Sequence, residues 1–207
     1  MAYDLEEQEQ IDELKAWWKQ NGKMISTLVI GVLLAYSAYQ GWHYYQSKQA
    51  VEASTEYQEL TITDEKDLKS IQAKSAVLMD KFAGTPYAGR AALFAAKANY
   101  QANDAKSAKA QLDWAIKNAK ETSVSALASL QLANILAEEK DFEGALKLLN
   151  APHDAGFDGL FADLKGDVLV SLGKSVEAKT AYQEALAKLD QHGKFRALTQ
   201  QKLEALG

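Results

Sequence analysis

A chain of 207 residues and 22.7 kDa with two prolines, no cysteine and 47% apolar residues has room for one compact domain and an added segment, which excludes a multidomain enzyme. Thirty-five alanines against twelve glycines favour helices over strands, and the missing thiols exclude disulfides, thiolate metal sites and cysteine nucleophiles. A net charge of −5 and a pI near 5.3 argue against a nucleic-acid partner.

Residues 4–21 place Leu5, Ile11, Leu14 and Trp18 at helical spacing against Asp4, Glu6, Glu7, Glu9, Asp12 and Glu13. Asn21-Gly22 is a helix-ending signal. The pattern predicts a short amphipathic helix over residues 1–23, lying along a membrane surface with Trp17 and Trp18 inserted. Its acidic face is either a solvated surface or a contact for a regulatory protein.

Between Lys23 and Lys48, 24 consecutive residues carry no Asp, Glu, Lys or Arg. At about 1.5 Å per residue this stretch is long enough to cross a hydrocarbon layer of roughly 30 Å, so residues 24–46 are predicted to be a transmembrane helix. Trp17 and Trp18 before it, and Trp42, Tyr44 and Tyr45 at its far end, form the two aromatic belts of such a span. Lys15, Lys19 and Lys23 precede the span and only Lys48 follows before Lys66, which places the N-terminus in the cytoplasm and the rest outside. A cleavable signal peptide competes, because Ala35 and Ser37 are small residues after an apolar run. Six carboxylates in the preceding 23 residues do not resemble a basic n-region, and cleavage there would leave half a span behind. Thr27, Gly31, Ala35 and Ala38 fall within about 80° on one helical face. They form either a packing face for another membrane helix or the small residues common in any span.

Residues 47–84 are expected to be connecting helices: a polar continuation of the span, a break at 61–63, and a helix over 64–82 capped by Thr63 and stopped by Gly84. Thr85-Pro86 restarts the chain as a helix. Further breaks are predicted at Asn103-Asp104, 121–123, Lys140-Asp141, 152–159, Gly173 and His192-Gly193. The intervals are those of paired antiparallel helices.

The segments also repeat. Gly166, Ala178, Tyr182 and Ala185 reproduce, 33 residues on, a skeleton begun by Ala133 and Ala145; Ala96, Ala108, Leu112 and Ala115 form an earlier copy, 37 residues before the second. Small residues let the two helices of a hairpin cross closely while Leu, Phe and Tyr fill the layer to the next. The fold class is therefore all-α, a single transmembrane helix followed by a tetratricopeptide-like helical-hairpin solenoid over residues 85–207. Phe195, Leu198, Leu203 and Leu206 form the stripe of a C-terminal capping helix. The first helix of each pair lines a groove, and the repeat positions assign Arg90, Lys97, Tyr100, Asn134, Asp163 and Asp167 to it, the alternative being ordinary solvated surface.

Catalytic chemistry finds no foothold. His43, His153 and His192 are too dispersed for a zinc site. The cluster His153, Asp154, Asp158 and Asp163 lacks the ligand alternation of a calcium loop. There is no phosphate-binding glycine loop, nucleophile elbow or dinucleotide fingerprint. The expectation is a non-enzymatic protein without cofactor or metal.

A short acidic tail, Asn21-Gly22-Lys23, a single span, Gly41-Trp42 then Tyr44-Tyr45, and repeats containing Thr85-Pro86-Tyr87-Ala88, Leu132-Ala133 and Ala162-Asp163-Leu164-Lys165-Gly166-Asp167 follow in a specific order over nearly the whole chain. That order resembles the YfgM family of Gram-negative bacteria, ancillary subunits of the SecYEG translocon. His43 departs from it, standing where the family would have a basic residue. The resemblance implies a single-pass inner-membrane adaptor with periplasmic repeats, partnered by SecYEG, by the periplasmic chaperone PpiD, by emerging secretory chains and by membrane lipid. It also implies a regulatory role for the cytosolic tail. The alternative is a periplasmic envelope-assembly scaffold of another tetratricopeptide family.

Overall fold

The computed structural model describes residues 2–207, with side chains from Glu7 onward. Asp4, Leu5 and Glu6 of the expected amphipathic stripe therefore lie outside the described side chains. The described residues form nine α-helices and one 3-10 turn, and no strand. The chain divides into a first unit ending at Lys48 and a second, Gln49–Gly207.

Helix α1 (Ala2–Thr61) crosses that division. In the first unit it does not stop at Asn21-Gly22, contrary to the sequence expectation. A glycine terminates a helix by adopting positive φ, and Gly22 does not do so. Instead the indole of Trp18 lies over it, so that a β-carbon at residue 22 would stand 3.0 Å from the ring. The Asn21 amide, rather than opening a turn, donates to the Trp17 carbonyl at 3.1 Å. The tail and the apolar stretch are one continuous helix. That helix is long and apolar enough to cross a membrane, and no residue of its most apolar window is buried. Leu28, Ile30, Leu33 and Leu34 are all exposed on its surface. Exposed aliphatic side chains over this length are the composition that a lipid environment stabilises.

The second unit is a stack of helical hairpins. Helices α2 (Leu68–Lys81), α3 (Pro86–Gln101), α4 (Ala105–Asn118), α5 (Thr122–Glu138), α6 (Phe142–Leu149), α7 (Asp158–Ser171), α8 (Ser175–Lys188) and α9 (Lys194–Ala205) follow one another, with the 3-10 turn Ala155–Phe157 before α7. Pro86 sits at the start of α3 as expected, its missing N–H costing nothing there. The chain turns at the predicted breaks. Asn103 (φ 62°), Lys140 (φ 66°) and Gly173 (φ 73°) take left-handed conformations at equivalent points of successive hairpins.

Three of the hairpins' second helices open on an equivalent cap. Asp67, Asp104 and Asp141 precede α2, α4 and α6 at intervals of 37 residues, and each carboxylate accepts from the backbone N–H three residues on, at 3.1, 3.0 and 3.0 Å. Lys174 precedes α8 with the same backbone geometry, φ −90° and ψ 65°, but its side chain cannot accept. The residue four beyond each cap is fully buried: Ile71, Ala108, Ala145 and Ala178. This period corrects the start of the second helix. Asp67, not Thr63, is its cap, because the Thr63 hydroxyl is spent on the Glu59 carbonyl at 2.8 Å.

The period also shows that α2 has a partner. Ala53, Tyr57 and Leu60 of α1 share a core with Ile71 and Leu78 of α2 and Ala91 and Ala95 of α3. Glu59 pairs with Lys74 at 3.0 Å, and Glu52 with Lys81 at 3.6 Å, seven residues back on one helix and seven forward on the other, which is the pairing of antiparallel helices. The segment expected to connect the span to the repeats thus forms a hairpin in the stack. Asn99, fully buried in α3, ties three helices together: it accepts from Gln72 of α2 and donates to Gln111 of α4 at 2.8 Å and to the Ala95 carbonyl at 2.8 Å. A buried amide so fully satisfied avoids the cost of burying polar atoms and fixes the register of the hairpins.

The alanine skeleton closes the remaining layers. Ala96, Ala108, Leu112 and Ala115 are buried against α5, and Ala133 and Ala145 against α7. Ala178 and Tyr182 pack with Leu203 of α9 and with Leu206, which ends it. The capping stripe is only half used, because Phe195 and Leu198 stay exposed while Thr199 is fully buried.

Candidate functional site

Helices α3 and α5 are the first members of adjacent hairpins, and between them lies an open groove of about 440 Å³. Its apolar surface is supplied by Ala96, Leu112, Leu130 and Ile135. Lys97, Tyr100, Gln101, Gln131 and Asn134 supply its polar groups. Three of the six residues expected in a groove, Lys97, Tyr100 and Asn134, therefore meet in one place.

Their contacts give the groove its electrostatic character. The Tyr100 hydroxyl of α3 donates to Glu138 of α5, and the Asn134 amide donates to the other oxygen of the same carboxylate at 2.7 Å. The hydrogen bond to Glu138 is the leading cause that holds the Tyr100 phenol above its ordinary value. Lys97 lies 3.7 Å from Glu65, and Lys109 pairs with Glu139.

The other three expected residues are engaged elsewhere. Arg90, near the start of α3, makes a two-pronged contact with Glu121 at 2.8 and 2.7 Å, and so holds the first turn of α5. That pairing holds the Glu121 carboxyl below its usual range. Asp163 and Asp167 face α9 rather than an open groove. Lys202 bridges them at 2.9 and 2.7 Å, Thr199 donates to Asp163 at 2.7 Å, and Tyr182 donates to Asp167 at 2.8 Å. Burial opposes the charge on Lys202, but its hydrogen bonds to Asp167 and Asp163 prevail and hold its value above the ordinary one. The repeat position and the capping helix were both legible, and the polar contact of that helix with these two aspartates was not.

Gln101, Leu130 and Gln131 also line the groove without having been expected there, and Glu138 adjoins it through its hydrogen bonds to the lining residues Tyr100 and Asn134. Helical spacing was the available signal: Gln101 follows Lys97 by four residues, and Gln131, Asn134 and Glu138 follow each other by three and four.

The polar loop cluster separates into unrelated contacts. His153 stacks on Phe161 with ring centroids 3.6 Å apart, and lies 3.3 Å from Asp158. Asp154 accepts from Thr122 at 2.7 Å, and Asp163 belongs to the α9 contact. In the span, a β-carbon added at Gly31 would meet no atom within 4 Å, so the face of Thr27, Gly31, Ala35 and Ala38 has open space beside it.

The chain is similar to known proteins along its whole length. A tetratricopeptide repeat-like domain model matches residues 15–207. A protein of Neisseria gonorrhoeae is 33% identical over 211 residues, covering 100% of both chains. One from Escherichia coli K12 is 31% identical over 97% of this chain and 96% of its own, and one from Haemophilus influenzae is 30% identical over 89% and 91%. Each bears the name ancillary SecYEG translocon subunit. By this end-to-end similarity the chain belongs to the YfgM family of tetratricopeptide repeat-like proteins, whose named members are ancillary SecYEG translocon subunits.

Proposed function

We propose that this protein is a non-enzymatic inner-membrane adaptor of the Sec translocon, which receives secretory chains emerging into the periplasm and passes them to periplasmic chaperones. The observation that carries the proposal is the similarity along the whole chain to relatives named as SecYEG subunits. In this reading residues 24–46 span the membrane, the tail is cytoplasmic and the hairpin stack is periplasmic, an orientation supported by Lys15, Lys19 and Lys23 on the N-terminal side. The groove between α3 and α5 supports a protein-binding role, since its apolar floor and amide rim suit peptide more than a small charged metabolite. The face of Thr27, Gly31, Ala35 and Ala38 docks a helix of the translocon. The chaperone partner is PpiD, as family membership suggests, and the acidic cytosolic tail is available for regulation.

The test is affinity isolation of the full chain from gently solubilised membranes. Recovery of SecY, SecE and SecG is the expected result, and recovery of none of them overturns the proposal.

A further inference from the structure

We infer that the α3/α5 groove selects extended segments carrying a lysine or arginine beside apolar side chains, with the Glu138 carboxylate as the recognition group. The inference rests on the reading of the groove as a protein-binding site.

Glu138 is fixed from both sides. Its two oxygens each receive one uncharged donor, Tyr100 from α3 and Asn134 from α5. A carboxylate has about four acceptor positions, so each oxygen can still take a hydrogen bond from an incoming cation. Among the described residues no lysine or arginine makes an ion pair with Glu138, whereas the neighbouring charges are matched: Glu139 with Lys109, and Lys97 with Glu65.

The helix ends reinforce the sign. Helix α3 finishes at Gln101 and α5 at Glu138, so the negative ends of both helix dipoles lie beside the carboxylate. Along the groove, Leu112, Leu130 and Ile135 offer apolar surface to an aliphatic side chain. Gln101 and Gln131 supply both donors and acceptors to a peptide backbone. An acidic segment would instead meet an unmatched like charge.

The probes are three fluorescent peptides of leucine, serine and threonine, identical except for one central residue: lysine, norleucine or glutamate. Each is titrated into the full chain in lipid nanodiscs and followed by anisotropy. The lysine peptide is expected to bind about tenfold more tightly than the norleucine peptide, and the glutamate peptide most weakly. Glu138→Gln removes the preference, and Glu138→Lys reverses it, with the thermal midpoint of each variant showing that it is folded. Equal affinity for all three peptides, abolished by Gln131→Trp filling the groove, overturns the charge selection and leaves the groove as a peptide site. Binding of none of them, or binding unmoved by Gln131→Trp, removes the groove itself.

Discussion

The ring of Tyr182 occupies the space beside Gly166 that any other residue would need: a β-carbon built on Gly166 would lie 2.3 Å from the ring. Tyr182 cannot yield, because it is 3% exposed and its hydroxyl donates to Asp167. Gly166→Ala is therefore expected to destabilise the fold by about 2 kcal/mol, outweighing the gain of roughly 1 kcal/mol in helix propensity. Adding Tyr182→Leu should restore most of that loss relative to Tyr182→Leu alone. Urea midpoints of the four chains measure this, and simple additivity would mean that the two residues do not interfere.

The repeated caps make a prediction of opposite sign. Asp67, Asp104 and Asp141 each cap a helix, whereas Lys174 holds the same backbone conformation without an acceptor. Lys174→Asp should stabilise the fold by about 1 kcal/mol. Thermal denaturation checks it, and no gain would mean that the N–H of Glu177 is already satisfied by water at no cost.

Much of the stack was legible because the repeat is written in small residues and turn residues. Ala96, Ala133 and Gly166 are buried at equivalent points, and Pro86, Asn103 and Gly173 mark helix ends that local stereochemistry alone requires. The first hairpin was harder to see. Its period is carried by one aspartate, Asp67, while the positions that Ala108 and Ala115 hold in the next copy are taken by Ile71 and Leu78. Gly22 misled because its role depends on the Trp18 ring above it rather than on its own freedom. Asp163 and Asp167 were assigned to a groove because a repeat position specifies a face, while the occupant of that face, α9, comes from outside the repeat.

Acid should weaken the stack through its capping and linking carboxylates. Hydrogen bonds from Ser107 to Asp104, from Thr122 to Asp154 and from Lys188 to Asp158 hold all three below the ordinary value of 3.8. A carboxylate lowered in the folded state contributes stability that is present above its unfolded value and lost as pH falls through the folded one. The thermal midpoint should be level between about pH 7 and 5 and fall below about pH 4. Asp154→Asn should flatten part of the fall, and a midpoint that rises on acidification would contradict the assignment.

In the span, Gly31→Ile places a branched side chain where the protein has open space. It should leave folding unchanged and reduce co-isolation of SecY, SecE and SecG several-fold if that face docks a membrane helix. Unchanged recovery would mean that the face meets only lipid.

The most direct test of the adaptor role uses the absence of cysteine from the chain. Gln131→Cys puts a single thiol on the groove, and a crosslinker attached there in native membranes reports by mass spectrometry what the groove holds during export. Capture of stalled secretory chains together with translocon subunits or the chaperone is the predicted result. Capture of envelope-assembly proteins, with none of these, would contradict it.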